Sequence, residues 1–222
     1  MASVMVGKAG GASAGGKLLA CVAGHGSAAH PYPSSEELLK GPDAWRNLAD
    51  AVHFLCTLHG RQPGAIDHAA NRAVEPDLRA WFADATIGFA AERAYLARLA
   101  VAAGPLPSTP GAGDNEAAAL GQRHAIEMLA CSERNGCALG AALALVLDWP
   151  VVRGVLDVAA QRFGVEIPPS RLAEADGIRR LADGLSSAAV ERALLFGAEQ
   201  IALQHFGLWD LLEARSQARA GC

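Results

Sequence analysis

Glu92 falls inside an apolar stripe. At about 100° per residue, Leu78, Trp81, Phe82, Ala85, Phe89, Tyr95, Leu96 and Leu99 project to the same side of one helix as Glu92. A carboxylate on a face assigned to the core must be paired, protonated or bound to a metal, because an isolated buried charge is very costly. Two histidines share that inward pattern. His59 lies in a stripe with Trp45, Leu48, Val52, Leu55 and Cys56, and His205 sits between Ile201 and Leu208. His124 and Glu127 form an H-x2-E pair three residues apart on a helix, from which an imidazole and a carboxylate can both reach one metal ion. Glu92, His124, Glu127 and His205, with His59 as a fifth, are therefore candidate ligands for iron, manganese or zinc. The same residues admit a plainer reading, in which Arg123 and Glu127 form an i,i+4 ion pair on a wet face. Glu92 is then half of a core pair, with a histidine as its expected companion. Cys131, seven residues after His124, reads as an inert thiol. No G-x-S-x-G elbow, phosphate loop, dinucleotide fingerprint or H-E-x-x-H motif is present.

These side chains need helices to hold them. No segment alternates with period two, β-branched residues are sparse and alanine is abundant, so the sequence predicts an all-α protein. Residues 1–33, rich in Gly, Ala and Ser, read as a flexible leader, and 34–216 as a single helical-bundle domain ending in a frayed tail over 217–222. Ser34 and Glu37 have capping-box spacing ahead of a short helix. Long helices are expected over about 43–60, 77–103, 114–148 and 187–216, with two or three short ones between them. The 114–148 pattern should stop at Trp149-Pro150, since proline breaks a helix interior. A stripe of Val152, Val155, Leu156, Ala159, Ala160 and Phe163 follows, then a short helix over 171–183. Gly136, Gly140 and Ala144 lie four apart, a ridge small enough for a neighbouring backbone to approach closely.

Composition narrows the function classes. The 222 residues are 51% apolar with a net charge of −4 and scattered basic residues, which argues against nucleic acid as a partner. Five cysteines without C-x2-C spacing fit reduced thiols in a cytoplasm. Leu18-Leu19-Ala20-Cys21 matches a lipoprotein cleavage box only locally, for Lys17 precedes it directly and the upstream stretch lacks an apolar run. The longest apolar run, 135–147, is short of the roughly 18 residues of a membrane span and is expected to be a core segment.

With an inward glutamate, a short-spaced Glu/His pair and an inward histidine on the last helix, the chain resembles the ferritin-like carboxylate proteins in architecture and residue types. That resemblance implies a mono- or di-iron or manganese centre and oxidative enzyme chemistry. The pattern departs from it in three ways: the pair is reversed, a second E-x2-H is absent, and the first helix offers His59 where a glutamate belongs. The stretch 53–164, with Gln122-Arg123-His124-Ala125-Ile126-Glu127-Met128-Leu129 and Pro107-Ser108-Thr109-Pro110-Gly111, also resembles an uncharacterised helical family of sphingomonad-type alphaproteobacteria. That family would bring no activity with it. The leading expectation is a bacterial bundle of unassigned function acting through binding or self-association as a homo-oligomer, with any small-molecule ligand unknown; a metal-dependent enzyme is the alternative.

Overall fold

The computed structural model describes residues 12–185 and 187–220. Among them there are nine α-helices and no strand: α1 Ala14–His25, α2 Glu36–Leu39, α3 Ala44–His59, α4 Ala65–Ala70, α5 Pro76–Ala103, α6 Ala112–Ala130, α7 Cys137–Phe163, α8 Ala175–Asp183 and α9 Ala188–Ala220. Two 3-10 turns, Ser27–Ala29 and Tyr32–Ser34, join α1 to α2. The fold is a helical bundle organised around α7, which packs against α9 most extensively and also touches α1, α3, α4, α5 and α6.

Small residues set the α7–α9 distance. A Cβ built on Gly140 would stand 1.9 Å from the Leu194 carbonyl oxygen, and one on Gly197 would stand 2.1 Å from that of Cys137. Both obstacles are backbone, so the two helices can lie this close only because each presents glycine at the crossing. The expected ridge is thus in use, with Gly136 capping α7 at φ 99°.

The single long helix expected over 114–148 is two helices. α6 stops at Ala130, Ser132 to Gly136 form the turn, and the Arg72 guanidinium donates to the Cys131 carbonyl at 2.9 Å and to that of Ser132. Asn135-Gly136 supplies the turn chemistry. The predicted stop at Pro150 is also overturned, since α7 runs through it to Phe163. Pro150 faces solvent while Trp149 and Val152 on either side are buried, so packing of the flanks holds the helix across the missing N–H. Continued through the proline, α7 becomes long and apolar enough to cross a membrane by length and composition, but 72% of its most apolar window is buried inside the protein, the mark of a core helix.

Helix extends into both the expected leader and the expected frayed tail where these are described. α1 lies inside the stretch read as leader, with Leu18 and Val22 buried and the helix packed on α8 and α9. Glycine composition hid an i,i+4 apolar pair. Gly15 lets the helices meet and donates its N–H to Asp183 Oδ1 at 2.7 Å. Residues 1–11 and Cys222 lie outside the described residues. At the other end α9 continues through the expected tail to Ala220 because Arg215 and Arg219 both bind Asp50 of α3, at 3.0 and 2.5 Å, and both donate to Thr109 Oγ1. Ser35, not Ser34, caps α2, accepting from Leu38 N–H at 3.1 Å.

Candidate functional site

Three helices place a buried polar chain across the bundle. Asp148 comes from the middle of α7, His205 from the middle of α9 and His59 from the last turn of α3; all three are buried, His205 completely. Asp148 Oδ2 stands 2.5 Å from His205 Nδ1, and His205 Nε2 stands 2.8 Å from His59 Nε2. The 3-10 turn after α1 anchors the carboxylate: Ser27 donates its N–H to Asp148 Oδ1 at 2.8 Å and its hydroxyl to Oδ2 at 2.5 Å, while Trp209 Nε1 donates to the Ser27 hydroxyl oxygen at 2.8 Å. Burial pushes the Asp148 carboxyl up, but the His205 hydrogen bond and charge and the two Ser27 donors outweigh it and leave it below the usual carboxylate value. His59 is held well below the ordinary imidazole value by burial first, then by the charges of His205 and Arg93.

Aromatic rings wall the far side of His59. Trp149 and Phe89 approach it edge-on, with ring centroids 5.6 and 6.2 Å away. Nδ1 of His59 has no hydrogen-bond partner among the described residues, and the ring lines a small cleft between α3, α4, α5 and α6. About 20 Å³ of space lies there, bordered by Arg61, His68, Arg123 and Glu127. One water molecule needs roughly 10–15 Å³. Two wider clefts of about 520 and 390 Å³, sharing Glu75, Leu78, Asn135 and Leu139, lie near the starts of α5 and α7, and the charged residues lining them are all exposed.

Of the sequence-derived candidates, the structure brings His59 and His205 together. Glu92 is buried as expected, 2% exposed, but its companion is an arginine and not a histidine: Arg153 Nη1 donates to both carboxylate oxygens at 2.7 and 3.0 Å, and Trp149 Nε1 donates to Oε2 at 3.0 Å. Arg153 escaped notice because the stripe was stopped at Pro150; carried through it, Trp149, Arg153, Leu156 and Ala160 share one face. The guanidinium also donates to Asp157 at 2.6 Å and to the Pro168 carbonyl, and lies over the Tyr95 ring. His124 and Glu127 are exposed on α6, whose buried residues are Ala119, Ile126 and Ala130; Glu127 pairs with Arg123 at 3.3 Å. The wet reading of that face is the one observed. Glu92, His124 and Glu127 therefore do not join His59 and His205, and among the described residues no group of three or more His, Cys, Asp or Glu could hold a metal ion. Cys131 lies beside His68, its sulfur 4.0 Å from Nδ1, rather than beside His124.

Asp148, Ser27 and Trp209 were missed. The apolar run ends at Leu147, one residue short of Asp148, and Ser27 lies in the stretch read as leader. One signal was available, a single acid between Leu147 and Trp149 in the most apolar helix of the chain.

No curated protein and no solved structure matches the chain, so nothing ties it to the ferritin-like proteins or to a sphingomonad source. A family model described as "Family of unknown function (DUF6975)" matches residues 22–220, α1's last turn through α9, and the chain belongs to that family.

Proposed function

We propose that this protein performs general acid–base chemistry on a small molecule, with Nδ1 of His59 as the proton-exchanging atom. The observation that supports it is the unbranched hydrogen-bonded chain from Asp148 through His205 to a ring nitrogen left open at a cleft. With Asp148 ionised, His205 Nδ1–H donates to it, and one proton is left to lie between the two Nε2 nitrogens. When that proton is on His59, its Nδ1 carries a lone pair and can accept. On uptake, a new N–H bond forms at His59 Nδ1, the Nε2 proton passes to His205 Nε2, and the positive charge comes to rest on His205 against the Asp148 carboxylate. The transfer moves the charge away from Arg93, which opposes it, toward a carboxylate that stabilises it. Release reverses each step. The free thiols Cys21, Cys56, Cys131 and Cys137 support a reducing, cytoplasmic setting for this chemistry.

The test is long-range proton–nitrogen NMR on protein labelled at histidine nitrogen. As pH is lowered through and below the ordinary imidazole range, His59 Nδ1 should change from bare to protonated in step with a change at His205 Nε2. Asp148→Asn should uncouple the two. Independent titration of the rings in the unmodified protein, or a His59 Nδ1 that keeps one state throughout, would overturn the proposal.

A further inference from the structure

The cleft onto which His59 opens carries its own charge pattern. Arg61, Arg123 and His68 stand around it with one carboxylate, Glu127, in a protein whose net charge is −4. The neighbouring Arg93–Asp67 pair, at 3.0 Å, neutralises itself behind the α4 N-terminus. Arg61 has no hydrogen-bond or ion-pair partner among the described residues, and Nε of Arg123 is shielded from solvent with Glu127 Oε1 at 3.3 Å as its only counter-charge. Glu127 is weakly held, its side chain 47% exposed against 22% for Arg123. A half-exposed carboxylate thus stands against a guanidinium whose Nε is shielded from solvent, in the same cleft as a 95%-buried histidine that lacks a partner on its open side.

Resting on the acid–base reading above, we infer that the substrate is a small carboxylate-bearing molecule. Its carboxylate displaces Glu127 from Arg123, which widens a cleft that now has room for about one water, and is shared with Arg61 and His68, so that the adjoining part of the molecule faces His59 Nδ1. A guanidinium matches a planar carboxylate through two parallel N–H donors, and the existing Glu127 contact, one approach to Nε at 3.3 Å with no hydrogen bond, leaves that pairing unmade. The binding step breaks one ion pair and makes another, with no covalent change.

Acetate, acetamide and inorganic phosphate serve as probes, followed through the histidine side-chain resonances at fixed ionic strength. Acetate should perturb His59 and His68 at least about tenfold more tightly than neutral acetamide, and phosphate should bind no more tightly than acetate. Arg123→Gln should weaken acetate by about tenfold, whereas Glu127→Gln, which frees the guanidinium, should tighten it by about threefold or more. Neither position is among the buried residues of α6, Ala119, Ile126 and Ala130, so both variants should fold. Equal binding of acetate and acetamide, tighter binding of phosphate, or a Glu127→Gln variant that binds acetate no better than the parent would overturn the inference. If acetate fails to bind while His59 and His205 still titrate together, the carboxylate assignment falls and the proton chain stands; acetate binding beside an untitrating His59 has the opposite meaning.

Discussion

Removing the guanidinium of Arg153 should cost more than removing the carboxylate it binds. Glu92 is 2% exposed and receives three hydrogen bonds, two of them from Arg153 Nη1. In Arg153→Met only the neutral Trp149 indole is left to face a fully buried carboxylate. Breaking a buried pair from one side costs about 3–5 kcal/mol, a large share of the roughly 5–15 kcal/mol that holds a protein of this kind together. Glu92→Met is milder, because Arg153 keeps Asp157 at 2.6 Å, the Pro168 carbonyl and the Tyr95 ring, and its side chain is already 9% exposed; a loss of about 1–3 kcal/mol is expected. The double variant, with two apolar chains of similar volume, should be more stable than Arg153→Met alone by at least about 1.5 kcal/mol, since buried ion pairs often exchange for packed apolar groups at little cost. Urea unfolding of the four proteins at neutral pH, with unchanged denaturant dependence, measures this directly. If Arg153→Met proves too unstable to fold, recovery of folding in the double variant reads the same coupling. A double variant no better than Arg153→Met, or a Glu92→Met loss as large as that of Arg153→Met, would refute the reasoning.

Glycine substitutions on α7 should diverge. Gly140→Ala drives a methyl into the Leu194 backbone and should lower unfolding free energy by at least about 2 kcal/mol, while Gly154→Ala, with nothing within 4 Å, should raise it by about 0.5–1 kcal/mol in the same urea assay. Acid should destabilise the protein in two windows. Because the folded His59 imidazole is held below its ordinary value of 6.5, the unfolded chain binds the proton first, and stability is lost as pH falls below about 6.5, by at most about 1.4 kcal/mol per pH unit for this group. Asp148 is likewise depressed below its ordinary 3.8, so its contribution is present above that value and lost as pH falls further. Chemical denaturation at stepped pH should show His59→Asn lacking the first window and Asp148→Asn lacking the second; parallel pH profiles for parent and variants would contradict both assignments.

Periodicity reports which side of a helix faces inward, and for α3, α5 and α9 it placed His59, Glu92 and His205 correctly on buried faces. It says nothing of what stands opposite. The companion of Glu92 is Arg153 rather than the expected histidine, and Arg153 stands just beyond Pro150, where the sequence predicts a stop. Local proline sterics cost about 3 kcal/mol, a penalty that the burial of Trp149, Val152, Val155 and Leu156 around it readily exceeds. The leader failed for the opposite reason: its glycines lower helix propensity, but Gly15 is what allows α1 to reach α8, so a contact unseen in the sequence decides the local structure. His124 and Glu127 had ligand spacing without depth, and the wet face of α6 follows from Ala119, Ile126 and Ala130 claiming the other side.

The residue that first stood out acts on the site through a ring. Glu92 holds the Trp149 indole by its Nε1–H at 3.0 Å, and that indole lies edge-on to His59 at 89° while also meeting Phe89 at 4.8 Å. Arg153 fixes the carboxylate, the carboxylate fixes the indole, and the indole stands edge-on against the His59 ring. Glu92 is thus a positioning residue, remote from the exchanging nitrogen. A purely structural role for the Glu92–Arg153 pair would leave the histidines unaffected in the folded double methionine variant. Positioning predicts that its His59 nitrogen resonances and midpoint move while those of exposed His124 do not, with Gly177→Ala on α8, where an added methyl meets nothing within 4 Å, as the unshifted control. An unchanged His59 titration in a stably folded double variant would confine Glu92 to stability alone.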